Sequence, residues 1–278
     1  MQLALLADVH GNLEALDAVL RDVDQRASDA TIACAGDVVG YGPEPDACIG
    51  RLRDRDAAFV MGNHEEMVLG RRDLTRCVRA GILAAAWTRA HLSSGARKVL
   101  ENLPPWLDVA PGVVACHGDL RSADRYVHNA QLANGALEQL SQLRPGARIL
   151  VCGHTHRAMF FAEDRGLLEA PAGRTIDLSR TERCLINPGA VGQARNSEPL
   201  ARYALLDLER QSVCYLALAY DHATTERKLR QRGLVPRVVL TEPRSALARR
   251  IEHLKTKWVR LRVRLQQPRD RSEGAAPP

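Results

Sequence analysis

The sequence predicts an α/β fold built on a parallel sheet, and three observations carry that prediction. Short apolar runs alternate with helical patterns between residues 3 and 61. A polar residue or a polar cluster follows each of those runs at its carboxyl end. The chain has 278 residues, 45% hydrophobic and 26% charged, enough to bury one large core or two small ones.

Leu3 to Ala7 reads as a buried strand, and Asn12 as the N-cap of a helix whose Leu13, Leu16, Val19, Leu20 and Val23 recur at helical spacing. Thr31 to Ala35 is a second strand ending at Gly36-Asp37. Pro43 and Pro45 punctuate the loop before a helix near 46–53, and Ala58 to Met61 is a third strand. From Glu65 to Leu103 the pattern turns helical and stops at Pro104-Pro105, so 65–103 reads as a helical cap insert. Short β runs follow at 112–116, 148–152, 158–163, 183–187, 201–208 and 212–219, with a helix near 130–143. The later runs lack helices between them, which predicts antiparallel pairing there. The domain division expected is 1–236 for the main domain and 237–278 for a basic helix with a polar, disordered end.

Composition excludes several classes. An apolar content this high excludes disorder along the whole chain. There is no run of about 18 apolar residues, so no membrane span is expected. Met1 to Asp8 lacks a basic start and meets a carboxylate after seven residues, unlike a signal peptide. Seven scattered cysteines without CxxC spacing read as reduced thiols of a cytoplasmic protein.

The chemistry gathers at strand ends. Asp8 and His10 follow the first strand, Asp37 the second, and Asn63 and His64 the third. His117 follows the run ending at Cys116, and His154 and His156 follow Cys152. Ligands of open α/β sheets bind outside the carboxyl ends of strands. Imidazole with carboxylate suits divalent Mn, Fe, Co, Ni or Zn. Asp-x-His and His-x-His on extended chain place both side chains on one side. With Asp37, Asn63 and His117 they exceed one tetrahedral site and suit a pair of ions about 3.5–4 Å apart.

Asp8-Val9-His10-Gly11-Asn12, Gly36-Asp37, Gly62-Asn63-His64-Glu65, His117-Gly118 and Gly153-His154-Thr155-His156, in this order, resemble the calcineurin-like metallophosphoesterases. Asn187-Pro188-Gly189-Ala190-Val191-Gly192 and the strand after it extend the resemblance to about residue 208, and Gly40-Tyr41-Gly42-Pro43 is similar to a bacterial and archaeal branch of small phosphodiesterases. The resemblance implies a four-layer αββα sandwich with two mixed sheets and a dinuclear site at their edge. It implies that Asp8, His10, Asp37 and His156 hold one ion and that Asp37, Asn63, His117 and His154 hold the other, with Asp37 bridging. Two divalent ions, manganese favoured, would activate a bridging water to hydrolyse a phosphoester, a diester rather than a monoester. His64 is expected to stabilise the transition state and protonate the leaving oxygen.

Tyr41, Asp119 and Arg121 are expected at the substrate, Asp119 being a departure from the small residue common in relatives. Arg125 and Tyr126 are near in sequence. Glu65 either supports a neighbouring ligand or merely opens the next helix. Two other readings compete with the small-molecule phosphodiesterase: a catalytically silent scaffold, and a nuclease. Both lean on the tail. Leu247, Ile251, Leu254, Trp258, Leu261 and Leu265 form a heptad seam flanked by Arg and Lys. It is expected to pack back on the domain or pair with a second copy, ahead of binding nucleic acid or a membrane surface. Residues 237–278 hold eleven basic and four acidic side chains, so the net charge of +6 belongs to this segment and the rest is nearly neutral.

Overall fold

The computed structural model describes residues 1–72, 78–195, 198–239 and 253–261. Two six-stranded mixed sheets stack face to face. One is ordered β3-β2-β1-β11-β12-β9, with β1 (Gln2–Leu6), β2 (Thr31–Cys34), β3 (Ala58–Phe59), β9 (Thr175–Asp177), β11 (Leu200–Asp207) and β12 (Ser212–Ala219). The other is ordered β4-β5-β6-β10-β7-β8, with β4 (Trp106–Ala110), β5 (Val113–Cys116), β6 (Ile149–Val151), β7 (Ala158–Ala162), β8 (Gly166–Glu169) and β10 (Cys184–Pro188). The parallel pairs are β1 with β2, β2 with β3, β5 with β6 and β6 with β10; the rest are antiparallel.

Alternation along the strands builds three apolar layers. Leu3 and Leu5 of β1 face Val113 and Ala115 of β5 and Ile186 of β10 between the sheets. Ala4 and Leu6 point the other way, onto α1 (Leu13–Arg26) and α2 (Pro45–Asp54). Val114 and Cys116 meet α6 (Ala130–Leu143) on the far side of the second sheet. This is the expected αββα order, with side chains stacked by the two-residue period of the strands.

Asn12 caps α1 as expected, its Oδ1 accepting from Ala15 N at 3.2 Å. The segment after β3 forms α3 (Asn63–Leu69), α4 (Arg79–His91) and α5 (Ser94–Glu101). Leu92, Ala96 and Leu100 join the same apolar layer as α1 and α2. Its arginines make contacts within the fold: Arg89 donates to Val68 O at 3.1 Å, and Arg72 Nε to Glu66 at 2.7 Å.

Four elements were not anticipated. Strand β4 lies directly after Pro104-Pro105, and β8 and β9 are four and three residues long. Helix α7 (His222–Gln231) buries only Thr225 and Leu229, too few for an apolar period to show. Leu234 and Val238, on either side of the boundary drawn at 236/237, share one cluster with Ala84.

Residues 253–261 are helical. Val259 packs with Met67, Ile82 and Ala85, while Leu254, Trp258 and Leu261 are 58–61% exposed. Leu247, Ile251, Leu265, Cys77 and the 270–278 end lie outside the described residues. No described helix is long and apolar enough to cross a membrane.

Candidate metal centre

The parallel strands β1, β2 and β3 of one sheet and β5 and β6 of the other deliver their carboxyl ends to one place. The loops leave the strands by an abrupt turn of backbone. Asp8, His10, Asp37, His154 and His156 all have positive φ, between 51 and 65°. Such a conformation costs an ordinary side chain about 1–2 kcal/mol. It is held by bonds between loops: Asp8 N to Gly36 O (3.1 Å), His10 N to Asp37 O (2.8 Å) and Gly153 N to His117 O (2.9 Å). Strain at this many adjacent functional positions persists only where the surroundings over-determine it.

The side chains converge as three groups: Asp8, His10 and His156; Asp37, His117 and His154; and His10, Asp37 and His64. Within each group the ligating atoms lie within 4.8 Å of one another. His117 Nε2 stands 3.2 Å from Asp37 Oδ2 and 3.0 Å from Asn63 Oδ1, which brings Asn63 to the second group. His156 Nε2 lies 3.5 Å from Asp8 Oδ1.

Three imidazoles are oriented from behind. Their Nδ1 atoms meet carbonyls: His10 on Val39 O (3.1 Å), His117 on Ala35 O (2.7 Å) and His156 on Gln193 O (2.6 Å). A carbonyl only accepts, so each Nδ1 carries the proton and each Nε2 faces inward, the arrangement that fixes metal-ligating histidines. His10 Nε2 and His156 Nε2 then confront each other as lone pairs 3.2 Å apart. Asp8 Oδ2 is buried with no hydrogen-bond partner among the described residues. Opposed lone pairs, an orphaned carboxylate oxygen and a donor set of imidazole and carboxylate fit divalent cations.

Electrostatics agree. Burial, then Asp37, pushes the Asp8 carboxyl up to about 7. Burial lowers His64 to about 4 and His154 to about 3. Burial opposes charge on both His117 and Asp37, yet their attraction wins, holding His117 up to about 10 and Asp37 well below the carboxylate range. In the metal-free protein a proton on His117 therefore does part of the neutralising that a cation would do.

Supporting groups explain the loop sequences. Glu65 is fully buried, and its carboxylate accepts from Asp37 N (2.9 Å), Val39 N (3.0 Å) and Gly62 N (2.8 Å), so it ties the Asp37 loop to the start of α3. Gly62 is needed for close approach: a Cβ there would come 2.2 Å from Asp37 Oδ1. Asn187 donates to Gly153 O (2.7 Å) and Thr155 Oγ1 (3.0 Å), pinning the loop that carries His154 and His156 to β10. The Ala190 turn acts through backbone, with Val191 N on Ala7 O and Gly192 N on Asp8 O, both at 3.0 Å.

Of the residues expected at the substrate, Tyr41 lies beside the cluster, its ring 4.8 Å from that of His10 and 4.7 Å from that of His64. Asp119 and Arg121 are turned to other work. The Asp119 carboxylate accepts from Arg121 N, Ser122 N and Gln139 Nε2 at 2.7–3.1 Å and pairs with Arg125, closing its own turn. Arg121 reaches Gln142 on α6 at 3.0 Å. Tyr126 does approach, its ring 5.3 Å from that of His154. Arg195 and Gln193 were not anticipated. Their only signal was position, just beyond the Asn187–Gly192 turn, but Arg195 is near enough to lower the pKa of His156 and His10 after burial.

The chain belongs to the calcineurin-like phosphoesterase superfamily, whose domain model matches residues 1–211. A metallophosphoesterase from Sphaerobacter thermophilus is 31% identical, with a TM-score of 0.72 over 86% of this chain and 97% of that one. An uncharacterized protein of Methanocaldococcus jannaschii is 30% identical over 79% of this chain and 88% of its own length. A hypothetical protein from Pyrococcus horikoshii, 17% identical, shares the fold at a TM-score of 0.65 over 85% of this chain and 95% of that one. The protein is a metallophosphoesterase whose described residues include clustered candidate metal ligands.

Proposed function

We propose that the protein is a phosphodiesterase that works with two divalent ions, manganese favoured, on a small phosphodiester. The observation that carries this reading is that Asp37 belongs both to the group with His117 and His154 and to a group with His10, whose other neighbours are Asp8 and His156. One carboxylate between two ligand sets suits a bridge. In this reading Asp8, His10, Asp37 and His156 hold one ion, and Asp37, Asn63, His117 and His154 hold the other. Bound there, the pair would supply an acidified water for attack at phosphorus and positive charge for the phosphoryl oxygens.

The remaining chemistry falls to the chain. The carbonyls of Val39, Ala35 and Gln193 keep three ligand imidazoles in the tautomer with Nε2 inward. His64 sits between Tyr41 and His10, 4.7 and 4.8 Å from their ring centres, and would give a proton to the leaving oxygen. Its Nδ1 is buried and has no hydrogen-bond partner among the described residues. Tyr41 walls that side of the site. Five buried free thiols, Cys34, Cys48, Cys116, Cys152 and Cys184, support a reducing, cytoplasmic setting.

The test compares Mn²⁺-loaded wild type with Asp37→Asn and His64→Ala on bis-p-nitrophenyl phosphate and on p-nitrophenyl phosphate. The expected result is faster turnover of the diester, lost in Asp37→Asn together with bound metal and lost in His64→Ala with metal retained. Absence of diester turnover that these substitutions abolish would refute the reading.

A further inference from the structure

A cleft of about 620 Å³ is lined by His156, one of the clustered histidines, and by residues of β7 and β8. Its volume matches pockets that take drug-sized ligands. One wall is apolar, with Leu167 and Pro171 among its residues; basic side chains, Arg157, Arg195 and Arg202, line it as well. Two acids, Glu169 and Glu198, also line it, and Glu198 sits 3.7 Å from Arg202. Arg195 differs from Arg202. Its Nε donates to Gln193 Oε1 at 3.2 Å, and among the described residues no carboxylate pairs with it. Gln193 is the same residue whose carbonyl orients His156. The guanidinium is thus anchored, through one residue, to a metal-ligand histidine that also lines the cleft.

A phosphodiester at the metal centre has two ester arms, and one must leave the site by an open path. We infer that the cleft holds the non-leaving arm of the substrate and that Arg195 binds an additional anionic group on that arm, so that the preferred substrates are diesters carrying a further phosphate or carboxylate. The inference rests on the phosphodiesterase reading above. The apolar wall would cover the uncharged part of the arm, and a planar guanidinium would take two oxygens of the anion together.

The experiment measures kcat/KM of the Mn²⁺-loaded full chain for thymidylyl-thymidine with and without a 5′-terminal phosphate, with bis-p-nitrophenyl phosphate assayed alongside. Wild type is expected to favour the phosphorylated dinucleotide by about tenfold, the size of one charge-assisted contact. Arg195→Gln should bring that ratio to within twofold of one, Arg195→Glu should invert it, and Arg195→Lys, which keeps the charge but loses the planar fork, should retain only part of it. Because the readout is a ratio of two substrates in one protein, a general loss of activity or metal does not mimic the effect. Turnover of bis-p-nitrophenyl phosphate with no preference between the dinucleotides, or a preference that survives Arg195→Glu, would overturn the inference and leave the phosphodiesterase reading standing. No turnover of any diester would overturn both.

Discussion

Replacing Gly40 with alanine isolates the part played by His64 without touching its ring. Gly40 has φ +95°, and a Cβ built there would lie 2.2 Å from His64 Nδ1, 2.8 Å from Cγ and 3.1 Å from Cε1. Those are the three nearest atoms, all in one side chain. To restore 3.4 Å, where ordinary contact begins, the ring must retreat by 1.2 Å. It is 5% exposed and has Tyr41 and His10 against it, so it moves out of register with the ligands rather than into space. Misplacing a reacting group by about 1 Å costs on the order of 100-fold. Gly40→Ala should therefore lower kcat on bis-p-nitrophenyl phosphate by about two orders of magnitude. Bound metal, measured by elemental analysis, should be unchanged, since no ion ligand is assigned to His64. The left-handed backbone adds about 1–3 kcal/mol of strain, a fall in Tm of a few degrees, small enough for assays at 25 °C. The double variant Gly40→Ala/His64→Ala should be no slower than His64→Ala, because both changes act through one side chain. Activity of Gly40→Ala within threefold of wild type, or multiplicative losses in the double variant, would refute the assignment. A loss of one metal would move His64 into the ligand set.

Three further outcomes are expected. Asn187→Ala removes the two side-chain bonds that hold the His154–His156 loop, and isothermal titration should show metal affinity lower by about 10- to 100-fold with the fold intact. Chelation should lower Tm reversibly, with about 2.7 kcal/mol regained when free Mn²⁺ reaches 100 times its dissociation constant, read by differential scanning calorimetry. Lys228 of α7 bonds Glu14 of α1 and Glu44, both largely buried, so Lys228→Met leaves two carboxylates facing each other and should cost about 1–2 kcal/mol in urea unfolding, once its partial exposure is allowed for.

The site was more legible in the sequence than the sheets around it. The apolar runs ending at Leu6, Cys34, Cys116 and Val151 stand out because both faces of those strands are buried, so the polar residues within three positions of their ends mark the place where a site would lie. Strand β9 buries only Ile176 of its three residues, and α7 packs by two, so neither carries a period that can be read. The tail misleads for a different reason. A heptad seam reports that a helix has an apolar stripe, but among the described residues Leu254, Trp258 and Leu261 of that stripe are exposed and Val259, outside it, packs with Met67, Ile82 and Ala85. Asp119 shows the same limit at the scale of one residue: a carboxylate beside a ligand histidine is equally suited to close a turn, and only the positions of the Arg121 and Ser122 N–H groups decide between the two. Glu65 went the other way, since the backbone N–H groups it holds come from the Asp37 loop, 26 and 28 residues earlier, as well as from its own helix start.

The pairing of β1 with β11, in which Leu5 lies opposite Ala204, has a consequence for the order of events on the ribosome. Asp8 and His10 are synthesised long before the strand that completes the sheet beneath them, and before His154 and His156 exist. A nascent chain lacking those two histidines carries five of the seven candidate ligands on an unfinished sheet edge. Bringing such distant segments together is slow, because loop-closure entropy must be met before the contacts form. Metal loading thus belongs to the finished polypeptide, and translation fragments that stop short of residue 207 should neither fold nor capture metal.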